Sequence, residues 1–134
     1  MIPYKVIPRK SPRDRTIKYY GVQHTRQIDE KDFVERIVQK NTVTRADVLA
    51  VISSIAEELV HSIRNGNSVT LPEIGTFGFS IKTRGAETKA KFVADNIKSL
   101  LVRFKPSSKL KYDVKVGNPQ VKFYNEEPEE EQEP

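Results

Sequence analysis

The side chains that most often carry catalysis are sparse and scattered in this chain of 134 residues. It has no cysteine, which removes disulfides, thiolate nucleophiles and cysteine-held zinc or iron–sulfur centres. Its two histidines, His24 and His61, belong to no recognisable ligand or triad spacing, and a surface or interface imidazole is the ordinary expectation for His61 on a helix. No nucleotide-binding glycine loop, HExxH or GxSxG occurs. The pair Glu57-Glu58 falls on the polar flank of a helical pattern, where carboxylates solvate. Gly75-Thr76-Phe77-Gly78 has the GxxG form of a loop that clamps single-stranded nucleic acid. That loop joins two helices and usually holds basic residues, whereas this one lies between strand patterns, so Gly75 reads as a turn residue and Phe77 as core. No catalytic residue, metal site or cofactor is expected.

Charge is the chemistry that remains. The segment 126–134 holds six of the 18 acidic residues and no basic one, so residues 1–125 carry 23 basic against 12 acidic side chains, a net +11. A field of that size favours a polyanion, either nucleic acid or an anionic membrane surface, and composition alone does not choose between them. The start, MIPYKVIPRK, breaks any apolar run with prolines and charges, unlike a signal peptide, and no stretch approaches about 18 consecutive apolar residues. A soluble protein of the cytosol is the expectation.

The elements that must position these charges are legible from periodicity. Tyr4–Ile7 and Thr16–Val22 are rich in β-branched and aromatic residues and flank the basic loop 9–15, which predicts a hairpin-like extension over residues 1–27. Two readings of its loop stay open, a nucleic-acid contact and an ordinary solvated turn. Asp29 and Asp32, with Ile28 and Phe33 as a hydrophobic staple, predict a helix start, and Phe33, Val34, Ile37 and Val38 share its apolar face. Thr44 and Asp47 repeat the capping grammar, opening a second helix from about Arg45 to Arg64 that Asn65-Gly66 stops. Its stripe, with Val48, Val51, Ile52, Ile55 and Leu59 at the centre, is broader than one short helix can cover, and 37% hydrophobic residues make a thin core. A core shared between two subunits is therefore plausible. Period two then predicts strands at 68–71, 76–81 and 97–105, with a polar, basic interruption at 82–96 and a short basic helix after Pro106.

This order, with Ile74-Gly75-Thr76-Phe77 and Val102-Arg103-Phe104-Lys105-Pro106-Ser107-Ser108-Lys109-Leu110-Lys111, resembles the bacterial HU/IHF histone-like proteins. The resemblance is nearer to the HU-related branch common in Bacteroidetes, through Arg84-Gly85-Ala86-Glu87-Thr88 and Asp95-Asn96-Ile97-Lys98, and it covers roughly residues 28–116. It implies an α+β fold: an intertwined homodimer with two N-terminal helices, a three-stranded antiparallel sheet with a β-arm, and a short C-terminal helix, over residues 28–117. It also implies a non-enzymatic, nucleoid-associated protein that compacts or shapes double-stranded DNA with little sequence preference. By matching position, Lys82, Arg84, Lys89 and Lys91 would hold the DNA backbone and groove edges, and Arg103, Lys105, Lys109 and Lys111 would form body contacts. The alternative for any one of them is simple solvation of a ribbon or helix.

Two departures narrow that expectation. No proline lies between Pro72 and Pro106, and the span from Phe77 to Phe104 is shorter than the family norm, so a proline wedge that kinks the duplex is not expected. Phe92 or Val93 could substitute as wedges, or pack against a neighbouring strand. Residues 118–134 are expected as a disordered acidic tail that either aids solubility or folds back on the basic arms. A second function class also stands, a dimeric adaptor of the same fold that recruits proteins and binds DNA weakly or not at all.

Overall fold

A computed structural model describes residues 1–128. The chain divides into two compact units, residues 30–113 and a second unit in which residues 1–29 join the segment from 114 onward.

The larger unit begins with two helices, α1 (Glu30–Lys40) and α2 (Arg45–Arg64). The start of α2 is fixed by a reciprocal cap. The Asp47 amide donates to Thr44 Oγ1 (3.2 Å), and the Thr44 amide donates to Asp47 Oδ2 (3.1 Å), so two otherwise unpaired donors are satisfied. Those bonds from Thr44, the backbone amide first and the hydroxyl second, hold the Asp47 carboxyl below its ordinary range. The helix ends at Gly66, whose φ of 81° is left-handed. Val34 of α1 and Val48 of α2 are the buried apolar side chains among the described residues.

Strands β3 (Val69–Leu71), β4 (Gly75–Thr83) and β5 (Ile97–Pro106) form an antiparallel sheet in that order. The β4–β5 ladder runs from Gly75 opposite Pro106 to Lys82 opposite Ser99 without interruption. Period two sorts it into an apolar face, where Phe77 meets Phe104, Phe79 meets Val102 and Ile81 meets Leu100, and a polar one. The Phe77 and Phe104 rings lie 4.8 Å apart, tilted by 39°. Gly75 is required at the strand start, since a Cβ there would sit 2.3 Å from the Lys105 carbonyl oxygen and 2.8 Å from the Phe104 ring. The short helix α3 (Ser108–Asp113) follows β5. Its cap, Ser107, accepts from the Leu110 amide (3.0 Å) and donates its hydroxyl to the Glu73 carbonyl (2.8 Å), tying α3 to the β3–β4 turn.

The short β-arm expected from the resemblance does not extend as a ribbon past the β4–β5 ladder. Residues 84–93 form no strand; the ladder shifts register at Lys82/Thr83, and a 3-10 turn (Ala94–Asn96) leads into β5. Asn96 explains the stop. It accepts from the Arg84 amide through its carbonyl (2.7 Å), while its side chain donates to the Arg84 carbonyl (3.3 Å) and accepts from the Val93 amide (3.1 Å). Beyond it, Lys91 and Phe92 donate to the Thr88 and Lys89 carbonyls three residues back, so these bonds run along the chain instead of across a ribbon.

The smaller unit is a sheet in the order β2 (Ile17–Gln23), β1 (Ile2–Lys10), β6 (Phe123–Asn125). The hairpin β1–β2 is in register from Tyr4 opposite Gln23 to Lys10 opposite Ile17, and β6 adds in parallel to Ile2–Tyr4. Tyr4 accepts from the Glu126 amide on the β6 side, so alternate backbone groups of β1 face that side. Pro8 therefore turns its donorless nitrogen to a stretch of edge beyond the end of β6. The expectation of a tail from residue 118 is corrected over 118–128. Val121, Phe123 and Tyr124 give the segment enough β-forming character to pair, and Glu126 and Glu127 anchor it. Glu126 takes the His24 ring through Nδ1 and Arg26 (3.2 Å), and Glu127 takes Lys5 (3.3 Å). The rest of the expected tail, 129–134, lies outside the described residues.

Two predictions follow from these anchors. Gly75→Ala is expected to cost about 1–3 kcal/mol through overpacking, measured by denaturant unfolding; an unchanged midpoint contradicts the close approach at Lys105. The His24 bond, then Arg26, holds the Glu126 carboxyl below its ordinary value near 4.5. Its stabilisation of β6 is therefore full above that ordinary value and lost as pH falls through the lowered one. In an NMR acid titration the Phe123–Asn125 amides should lose their strand shifts in that window, and Glu126→Gln should abolish the dependence.

Candidate nucleic-acid interface

The polar face of the β3–β4–β5 sheet carries Thr70, Thr76, Ser80, Lys82, Arg103 and Lys105, since each sits in register with another member or alternates with the apolar set. Gly78 lies opposite Arg103 and offers no side chain. Arg103 leans across the space, and its Nε donates to Ser80 Oγ at 3.2 Å, which fixes the guanidinium while leaving its other donors free. The Thr70 and Thr76 hydroxyls pair at 3.0 Å beside Lys105. Lys82 and Lys105 are six residue steps apart along the ladder, or about 20 Å at strand rise. Three exposed cations thus line one extended, rigid face.

The other residues expected in the site are placed differently. Arg84 lies just past β4, its backbone held by Asn96. Lys89 and Lys91 sit in the turn-rich loop, and Lys91 is ion-paired to Glu87 at 3.1 Å, both side chains well exposed. Phe92 and Val93, weighed as wedges, occupy the same loop and are exposed. Lys109 and Lys111 are on α3, where Lys109 is ion-paired to Glu73 at 3.3 Å. Glu73 was not singled out in the sequence, and Asn96 only within the motif Asp95-Asn96-Ile97-Lys98. Glu73 has a positive φ of 67°, and the turn run Pro72-Glu73-Ile74-Gly75 was the available signal.

The apolar face of the unit is open. Val51, Ile52 and Ile55 of α2 are 57%, 44% and 37% exposed. A cavity of about 350 Å³ lies between α2 and β3, lined by Val51, Ile55, Leu59, Val69 and Leu71 among others. The strand cations Lys82, Arg103 and Lys105 are therefore segregated from the apolar face, with Leu101, opposite Ser80, the one aliphatic residue of the ladder on their side.

The model of the HU-HIG family, described as an HU domain fused to a wHTH, Ig or glycine-rich motif, matches residues 1–120. No curated protein matches the chain. Among solved structures, the chain is similar to a candidate bacterial DNA-binding protein from Bacteroides vulgatus, with TM-score 0.60 and 20% identity over 96% of this chain and 50% of the other. The chain thus spans about half the length of that protein. It also aligns with Anabaena HU from a cocrystal with DNA, at TM-score 0.49 and 17% identity, over 65% of this chain and 97% of that one.

The Glu73 pair generates a prediction. Glu73→Gln should release Lys109 and raise the salt needed to elute the chain from a polyanionic column more than the charge-matched Glu57→Gln does. Equal shifts would mean that Lys109 adds nothing to polyanion contact.

Proposed function

As a member of the HU-HIG family, the chain is one of the HU-type proteins, and from that premise we propose that it binds double-stranded DNA through the polar face of its three-stranded sheet. The single observation that carries this reading is the segregation of Lys82, Arg103 and Lys105 to one rigid face, opposite the apolar one. Phosphate contact by such a row releases counterions and is largely indifferent to sequence. The name of the similar Bacteroides vulgatus structure, a candidate DNA-binding protein, agrees with it.

The role that follows is architectural, a non-catalytic protein of the nucleoid that coats or gently shapes the duplex. Arg84, Lys89, Lys91, Lys109 and Lys111 are secondary contacts in this reading, with Lys89 and Lys91 reaching DNA from a compact loop instead of a long arm. Lys91 and Lys109 are partly neutralised by Glu87 and Glu73, so Arg103 and Lys105 carry the greater share. No helix among the described residues is long and apolar enough to cross a membrane.

A homodimer belongs to the same proposal. The exposed stripe of α2 and the cavity beneath β3 form a surface that a second copy would cover, and burying what remains exposed of Val51, Ile52 and Ile55 is worth about half of the roughly 1.5–3 kcal/mol that full burial of each would give. An adaptor role for the same dimer is the second reading, which the open apolar surface would serve.

Fluorescence anisotropy with a duplex of about 30 base pairs over a salt series tests the DNA reading. Binding should weaken steeply with salt, and Arg103→Gln with Lys105→Gln should lower the log–log slope by about 1.8, at roughly 0.9 per phosphate contact. Absence of salt-sensitive binding would favour the adaptor. Light scattering tests the dimer: the unaltered chain should run as a dimer at micromolar concentration, and Ile55→Asp should give monomer or unfolded chain.

A further inference from the structure

The β1–β2 hairpin carries a charge distribution that the sheet site does not use. Residues 9–18 hold Arg9, Lys10, Arg13, Arg15 and Lys18 against the single acid Asp14. At the other end of the same hairpin, Lys5, His24 and Arg26 are all engaged by Glu126 and Glu127. The five tip cations have no carboxylate partner among the described residues, since Asp14 turns to the Thr16 hydroxyl (2.8 Å) and amide (3.2 Å). Neutralisation therefore stops where the tip begins.

Register makes the contrast sharper. Arg9 and Lys18 stand directly opposite each other in the ladder and on the same face, an arrangement of like charges that destabilises a strand pair. Both are exposed. A depression of about 440 Å³ opens beside them, lined also by Tyr20, whose hydroxyl can donate to an anion, and by Ser11 and Thr16, whose hydroxyls are directed to Asp14. Asp14 also lines it, its carboxyl held low by the Thr16 hydroxyl, then by the Thr16 amide, and it is outnumbered there by Arg9, Lys10 and Lys18. An anion seated between Arg9 and Lys18 would remove their repulsion and accept from the Tyr20 hydroxyl.

We propose that the tip of this hairpin is a second phosphate-binding contact for duplex DNA, separate from the sheet face and built on Arg9 and Lys18. Ile17, 60% exposed, is the one large aliphatic side chain of residues 9–18, too little apolar surface to hold the tip in a bilayer, and the phosphodiester backbone is the polyanion it fits. Two contacts on one chain raise the effective concentration of the second once the first is made. The inference rests on the duplex-binding reading above.

The test uses the full chain and salt-series anisotropy with the same duplex. Arg9→Gln with Lys18→Gln should lower the slope by about 1.8 and weaken binding roughly tenfold at low salt, with unchanged far-UV circular dichroism. Arg9→Lys with Lys18→Arg should restore the slope. Lys10→Gln with Arg13→Gln, both outside the cross-strand pair, should also reduce it, which keeps the test decisive if the strand variant misfolds. An unaltered slope in both neutralised variants, beside a reduced slope for the Arg103 and Lys105 variant, overturns the hairpin contact alone. No duplex binding by the unaltered chain overturns both readings. Loss of binding only to phosphatidylserine-containing vesicles overturns the DNA assignment of the tip.

Discussion

The β4–β5 ladder is the constraint from which the rest follows. Because side chains alternate across a strand, its register decides at once that Phe104 and Val102 share a face with Phe77 and Phe79, and that Lys105 and Arg103 share the other. A slip by one residue would exchange the two sets completely. Three local features pin the register. Gly75 lets the Lys105 carbonyl approach where no Cβ fits, the Phe77 and Phe104 rings meet in opposition, and Ser107 ties the strand's exit to the turn at Glu73. None of these touches a charged head group of the site, yet each determines which way the cations point.

Local grammar made much of this readable in advance. Thr44 with Asp47 and Asn65-Gly66 marked the ends of α2 because capping and left-handed stops depend on a few adjacent residues. Period two marked β4 and β5 for the same reason. The interruption at 82–96 was legible from its lost periodicity, but the point where the ladder stops was not, because it turns on Asn96, whose side chain and carbonyl together take the groups that one more ladder pair would use. That is a contact across twelve residues, invisible to any pattern of neighbours. Strand β6 was hidden differently: the acidic run that follows dominated the composition around Phe123 and Tyr124, and its partner strand lies at the other end of the chain.

Charge pairing gives the two units a common logic. In each, some cations are matched to carboxylates at about 3.1–3.3 Å, such as Lys91, Lys109, Lys5 and Arg26, and others are left unmatched on a rigid strand. Exposed pairs of this kind contribute little stability, so their main consequence is to lower the charge available to a partner. What remains concentrated is the sheet face in one unit and the hairpin tip in the other. The candidate site is thus defined as much by where acids sit as by where bases do.

The alternation itself can be observed directly. In an NMR titration of the isotope-labelled chain with duplex DNA, the Arg103 Nε–H and Lys105 side-chain signals should shift, while the methyl groups of Leu100 and Val102, one step away on the opposite face, stay in place. Perturbed Leu100 and Val102 methyls with silent Arg103 and Lys105 signals would contradict the account, because the duplex would then be meeting the wrong side of the sheet.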